Sequence, residues 1–320
     1  MAPRHEAFTR QDRARVRPSG GCRAAAVVAA AALFCGAALS GCVASPDRGG
    51  ADGARQRATA ARPSPSPTPP LWNTRPASVA AVGDSITRGF DACGVLADCP
   101  EVSWATGSDA GVDSLALRLL GASALPSRSW NLARSGARVA ELPAQMALAA
   151  ARKPGLVAVM VGANDACRPS VDLMTPVADF RASFESAVAA LRRTAPEAQL
   201  YVASVPDLHR LWSTGRDHPV GRQVWPMGVC GSMLADANDL GAAATARRAA
   251  VRERVVAYNG VLRDVCARDA RCRHDGGAVF DYRFGSGQLS PWDVFHPSRD
   301  GQGRLAKIAY RAVTAAEPPA

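Results

Sequence analysis

Four short blocks hold side chains of the types that nucleophilic catalysis requires. Gly83-Asp84-Ser85-Ile86-Thr87 presents a hydroxyl directly after a short apolar run. Asn131-Leu132-Ala133-Arg134-Ser135 leads to Gly136, and Gly162-Ala163-Asn164-Asp165 follows a second apolar run. Asp293-Val294-Phe295-His296-Pro297 stands ahead of the last helical stretch. A hydroxyl is a poor nucleophile near neutral pH until a positioned base removes its proton. His296 is the candidate base, because imidazole titrates near neutrality. Asp293, three residues earlier, is placed to accept the other ring N–H, fix the tautomer and stabilise the imidazolium. Negative charge developing on a substrate oxygen calls for donors aimed at it. The candidates are the Ser85 backbone N–H, the Gly136 N–H, which no Cβ obstructs, and the Asn164 side-chain amide. Of the other histidines, His5 lies near the N-terminus, and His209, His218 and His274 lie in loops without a strand-end partner.

Each of these residues also has a structural reading. Ser85 could cap a helix, Gly136 mark a turn, and Asn164-Asp165 satisfy a loop. Asp293 could cap the last helix or pair with an Arg. Asp84 and Asp165 read as residues that hold loops in shape. Trp104, Trp212, Trp225 and Trp292 read as packing. The segment 207–240 reads either as a lid or acyl wall or as a disulfide-held loop. No Gly-x-Ser-x-Gly elbow, P-loop or dinucleotide fingerprint occurs.

The blocks need strand ends to stand on, and the apolar runs supply them. Val79–Val82, Leu156–Val161 and Leu200–Val205 are continuous rather than alternating, as strands buried on both faces are. Trp130–Leu132 and Ala278–Phe280 are weaker strand candidates. Between them lie helical stripes. Thr175 and Pro176 read as an N-cap and first helical position, with Phe180, Phe184, Val188 and Leu191 on one face. Val251, Val255, Tyr258, Leu262 and Val265 make a second stripe, and a last helix is expected from about Ser298 to Thr314. This alternation implies an α/β fold: three layers, α/β/α, around a doubly wound, mainly parallel, five-stranded sheet. In such sheets reactive groups gather beyond the carboxyl ends of the strands, where these four blocks lie.

Length and composition agree with one sizeable globular domain, at 320 residues with 48% hydrophobic and 21% charged content. Formal net charge is +10, but residues 1–41 carry about +4 of it and residues 42–76 about +3. The +3 left to the remainder argues against a nucleic-acid partner. Arg-rich residues 1–23 precede an apolar stretch from Ala24 to about Leu39, the order of a secretory signal and too short for a membrane span. Leu39-Ser40-Gly41-Cys42 resembles a bacterial lipobox, which implies acylation of Cys42 and anchoring to a membrane, an ordinary cleavage site or a retained anchor being the other readings. The expected division is therefore a signal peptide over 1–41, a Pro/Ser-rich disordered tether over 42–76 and a catalytic domain over 77–320. Six cysteines remain beyond Cys42, an even number that reads as disulfides in an oxidising compartment. Cys93–Cys99 and Cys266–Cys272 can pair locally, which leaves Cys167–Cys230. The rival is a metal site at Cys266, Cys272 and His274, although no further ligand pair completes a zinc set.

The four blocks, in this order and at strand ends, resemble those of the SGNH (GDSL-type) hydrolases over residues 77–315. The residues that name that family map to Ser85, Gly136, Asn164 and His296, with GDSI standing where the family name has GDSL. The resemblance implies the flavodoxin-like fold of that family and an exported serine esterase or lipase with no metal or cofactor. Three disulfides make it most like the secreted actinobacterial lipases and esterases. The expected substrates are lipid or short-chain carboxylic esters, with O-acetylated cell-wall or plant carbohydrate as the alternative, and a monomer is expected. A surface binding module that kept the fold and lost activity is the reading from another class, and the intact Ser85, Asp293 and His296 count against it. An exported protein held on the outer face of the membrane, or secreted if Cys42 is not acylated, is the expected location.

Overall fold

A computed structural model describes residues 71–319. The expected signal peptide, Cys42 and the tether up to residue 70 lie outside the described residues. Five strands form one parallel sheet: β1 (Val79–Gly83), β2 (Ser129–Asn131), β3 (Leu156–Met160), β4 (Gln199–Val202) and β5 (Cys272–His274), in the order β2-β1-β3-β4-β5. Every residue of β1, β3 and β4 is buried, which is why their sequences run apolar without alternating.

The sheet order fixes the layers. The chain moves one way from β1 to β2 and the other way from β2 through β5, so right-handed crossovers place the connections on opposite faces. Helices α2 (Leu142–Ala151), α3 (Val177–Thr194) and α4 (Ala242–Cys266) follow β2, β3 and β4 and pack side by side on one face, while α1 (Ser85–Arg88) directly follows β1. The short helix Leu115–Leu120 and the last helix, α5 (Arg299–Thr314), pair on the other face. Helix α3 shows how the pattern becomes packing: Phe180, Phe184, Ala187, Ala190 and Leu191 are buried on one stripe. Full burial of each Phe contributes roughly 1.5–3 kcal/mol.

Two expectations change. The Ala278–Phe280 run is a helical turn, Ala278–Asp281, and the fifth strand is the polar Cys272–His274. That strand is held to the end of α4 by the Cys266–Cys272 bridge and pairs with β4. Helix α3 starts one residue late, after Pro176, because the Thr175 hydroxyl donates instead to Asp165 Oδ1 at 2.8 Å. Upstream of Ala77, Trp72 packs onto the domain. The Trp72 indole N–H donates to the Val313 carbonyl at 2.9 Å, and the Arg273 guanidinium lies 4.3 Å from the centre of its ring.

All three disulfides, Cys93–Cys99, Cys167–Cys230 and Cys266–Cys272, are formed. Neither Cys266 nor Cys272 is thus a free thiolate for the metal cluster considered above. Cys167–Cys230 spans 63 residues, and closing a loop of that length stabilises the fold by about 4 kcal/mol on the chain-entropy account. Among the described residues, no helix is long and apolar enough to cross a membrane.

Candidate active site

The sheet reverses its winding between β1 and β3, and β1 ends there in Gly83, beside the Met160 that ends β3. Gly83 has φ +136°, and a Cβ on it would fall 1.9 Å from the Met160 carbonyl oxygen. Only glycine lets the two strand ends approach so closely. The chain then turns at once into α1, whose first residue is Ser85. Asp84 caps the turn, its Oδ1 accepting the Ile86 N–H at 3.0 Å. Gln145 of α2 clamps the Gly83 peptide from both sides: its Oε1 accepts the Gly83 N–H at 2.7 Å and its Nε2 donates to the Gly83 carbonyl at 3.0 Å. The nucleophile candidate therefore rests on backbone that is fully satisfied and buried.

His296 arrives from the opposite end of the chain. An antiparallel bridge between Leu289 and Pro297, and the Ser290 N–H donating to the His296 carbonyl at 2.7 Å, close its loop. Within the loop, Asp293 Oδ1 accepts the N–H groups of Phe295 at 2.8 Å and His296 at 2.9 Å. The buried Trp225 indole N–H donates to the Asp293 carbonyl at 2.8 Å and pins the loop from outside. Asp293 Oδ2 lies 2.5 Å from His296 Nδ1, and His296 Nε2 lies 2.9 Å from Ser85 Oγ. The edges of Phe90 and Phe295 flank the ring, with centroids 5.0 and 5.3 Å away.

Electrostatics follow from this enclosure. Burial works against charge on His296, but the hydrogen bond and charge of Asp293, with Asp84 and Asp91 behind, outweigh it and raise the ring above its ordinary value. Burial likewise opposes charge on Asp293, yet the hydrogen bond and charge of His296 and the two backbone N–H groups hold it below the usual range. Such a pair can take a proton from Ser85 and hold the resulting imidazolium. Burial pushes Asp84 up to about 7, with its Oδ2 unpartnered.

The donors expected opposite the base sit on two linked loops. The Arg134 N–H donates to the Gly83 carbonyl at 3.1 Å, which ties the loop after β2 to the start of the Ser85 turn. In that loop Gly136 is exposed with φ +80° and an open Cβ direction. The glycine is thus required by backbone conformation as well as by approach. Asn164 follows β3, and its Nδ2 donates to the Ala137 carbonyl at 3.1 Å, joining the third block to the second. An amide carries two N–H groups, so this bond leaves one of them uncommitted. Asp165 beside it is buried and spent on loops, accepting from the Val139 N–H and the Thr175 hydroxyl.

Beside the His296 ring lies an apolar slot lined by Ile86, Ala163, Leu208, Leu211, Phe284 and Phe295. It leaves about 10 Å³ to a water-sized sphere, room for about one water. A hollow of about 280 Å³ bounded by Asn259, Arg263, His274 and Asp281 lies beyond β5 and shares no residue with this slot. In the segment 207–240, Trp212, Trp225 and Met233 are buried while Met227 is exposed, and the Cys167–Cys230 bridge ties it to the block after β3. Trp104 is also buried, whereas Trp292, next to Asp293, is 45% exposed.

The structure therefore brings Ser85, Asp293 and His296 into one hydrogen-bonded line, with Gly136 and Asn164 on loops fastened to the same strand ends. His209 and His218 stand apart from it: His209 lies against Trp212, and His218 caps a short helix through Nδ1. Gln145, Phe90 and Asp91 escaped the sequence reading. Phe90 and Asp91 directly follow the Gly89 that ends α1, the one local signal that could have marked them.

The profile of the family described as GDSL-like lipase/acylhydrolase matches residues 81–304. No curated protein matches the sequence. Solved structures that resemble the chain include a candidate GDSL-like lipase from Parabacteroides merdae, at 17% identity and TM-score 0.44, covering 76% of this chain and 97% of that one. A family 3 carbohydrate esterase of Clostridium thermocellum matches at 16% and TM-score 0.43, over 73% of this chain and 94% of its own. An extracellular lipase of Streptomyces rimosus matches at 20% and TM-score 0.41, over 75% of this chain and all 100% of its own.

Proposed function

Because this chain belongs to the GDSL-like lipase/acylhydrolase family, and so to the enzymes that cleave ester bonds, we propose that it is an exported serine esterase using Ser85, His296 and Asp293. The observation that carries the reading is the unbroken line from Ser85 Oγ through the His296 ring to Asp293 Oδ2. Ser85 Oγ attacks the ester carbonyl as its proton passes to His296 Nε2. The Ser85 and Gly136 N–H groups and the free amide N–H of Asn164 take up the oxyanion, each such donor being worth about 2.7–4 kcal/mol in the transition state. His296 then gives its proton to the leaving alcohol. Water, deprotonated by the same ring, releases the acid and restores Ser85.

The narrow slot beside His296 supports a short acyl group, in an ester of a small alcohol or an O-acetylated carbohydrate. Overfilling a packed pocket costs roughly 1–3 kcal/mol. With the purified protein, kcat/KM for p-nitrophenyl acetate should exceed that for the octanoate about tenfold or more. A steady rise with chain length would overturn the short-acyl reading and favour lipid esters. Acetylated xylan set beside tributyrin then separates glycan from glyceride.

Export rests on the three disulfides, which persist in oxidising compartments. In this reading residues 1–41 are removed and acylated Cys42 holds the domain at the membrane on the segment that follows. Cys42→Ala is expected to move the protein from the membrane fraction to the medium. Unchanged fractionation would discard the anchor and leave the enzyme untouched.

A further inference from the structure

Two carboxylates, not one, stand behind the His296 ring. Asp91 is 2% exposed, and one oxygen each of Asp91 and Asp293 and a ring nitrogen of His296 all lie within 4.8 Å of one another. Asp293 has already committed Oδ1 to two backbone N–H groups and Oδ2 to the ring. The loop carrying Asp91 is built to hold it there. Asp91 has φ +55°, uncommon for a residue with a Cβ and kept only where the surroundings fix it. Its N–H donates to the Ala97 carbonyl at 2.9 Å, and its own carbonyl accepts the Ser290 hydroxyl at 2.7 Å. Oδ1 accepts the Leu96 N–H, and the Cys93–Cys99 bridge closes the loop. Ser290 belongs to the loop that presents His296, so Asp91 joins the two halves of the site.

Among the described residues, neither carboxylate has an Arg or Lys in ion-pair contact, and His296 is the cation within reach of Asp293. Two buried carboxylates in contact hold both charges only with a cation beside them; otherwise they share a proton. We propose that Asp91 is a positioning residue of the reaction, forming with Asp293 a two-carboxylate counter-ion for the His296 imidazolium. The inference rests on the roles given above to Ser85, Asp293 and His296. In acid the Asp91 carboxyl is protonated and donates to Asp293. Once ionised, it adds a second negative charge behind the ring as the ring takes the Ser85 proton. Burial, then the Asp293 charge, raises Asp91 above its ordinary range, against the pull of the Leu96 N–H and His296. The charged groups acting on the ring are Asp293, Asp84 and Asp91.

Asp91→Asn tests this in the whole protein. Asn keeps an acceptor for the Leu96 N–H and offers an amide N–H to Asp293, but cannot ionise. The His296 ring resonances, followed by NMR against pH, should titrate about half a unit to one unit lower than in the unmutated protein. The acid limb of kcat/KM should move with them, and kcat should fall by up to about tenfold at unchanged KM. An unmoved His296 midpoint in a folded Asn variant, with impairment only in Asp91→Ala, would make Asp91 a loop cap and overturn the proposal. Should the Asn variant fail to fold, the carbon-13 carboxyl resonances of the unmutated protein decide. Asp91 and Asp293 should each report both titration steps of a coupled pair, and independent single steps would overturn it. These resonances can be read whether or not an ester is hydrolysed, so failure of the counter-ion and failure of the esterase reading are separate results.

Discussion

Ser85→Ala will abolish ester hydrolysis by a factor of at least about 10⁴, with the fold intact. The hydroxyl is the atom that forms the acyl-enzyme, and its removal leaves His296 Nε2 without its partner at 2.9 Å. Ala fits where Ser85 stood, because the residue is buried at the first position of a capped helix and donates no structural bond beyond the ring contact. Ser85 and His296 act on one proton, so the double variant Ser85→Ala/His296→Ala should be about as slow as either single change. Matched p-nitrophenyl acetate assays on the three variants, with circular dichroism melts as the folding control, measure both statements. Equal turnover by the unmutated protein and Ser85→Ala would remove the serine mechanism and favour a binding module on this fold.

Asp293→Asn should cost about 10⁴ in kcat while leaving the loop in place. Asn retains an oxygen for the N–H groups of Phe295 and His296, the bonds that shape the turn. Its amide can present N–H where Oδ2 stood, and that forces the ring into the tautomer with Nδ1 unprotonated and Nε2 facing Ser85 as a donor. A donor cannot take a proton. The pH dependence gives a second reading. Asp293 helps to raise the ring, so without its charge His296 releases its proton at lower pH. The acid limb of kcat/KM should therefore move down while the plateau falls. A plateau that falls with an unmoved limb would show that Asp293 orients the ring without acting on its charge.

Much of this arrangement was legible because each part is local. Val79–Val82 and Leu156–Val161 read as buried strands because no polar residue interrupts them, and each is followed by a reactive block within four residues. Asp293 was legible as the partner of His296 because a spacing of three lets a carboxylate fold back onto its own loop. The strand Cys272–His274 was not legible, since two of its three residues are charged or titratable and its place is set by a disulfide and by pairing with β4. Gln145 lies 62 residues from the Gly83 peptide it clamps, and no property of an isolated glutamine announces such a contact. Asp91 escaped for the same reason: its neighbour Asp293 comes from the far end of the chain. Trp225 read as packing, which it is, yet its indole also steadies the Asp293 carbonyl.

The contact of Trp72 with Val313 sets a direction for the described domain. Helix α5 begins three residues after His296 and ends at Thr314, so Val313 lies in its last turn, at the end away from the imidazole. The described polypeptide thus starts at one end of α5, while the reactive serine and imidazole stand at the other.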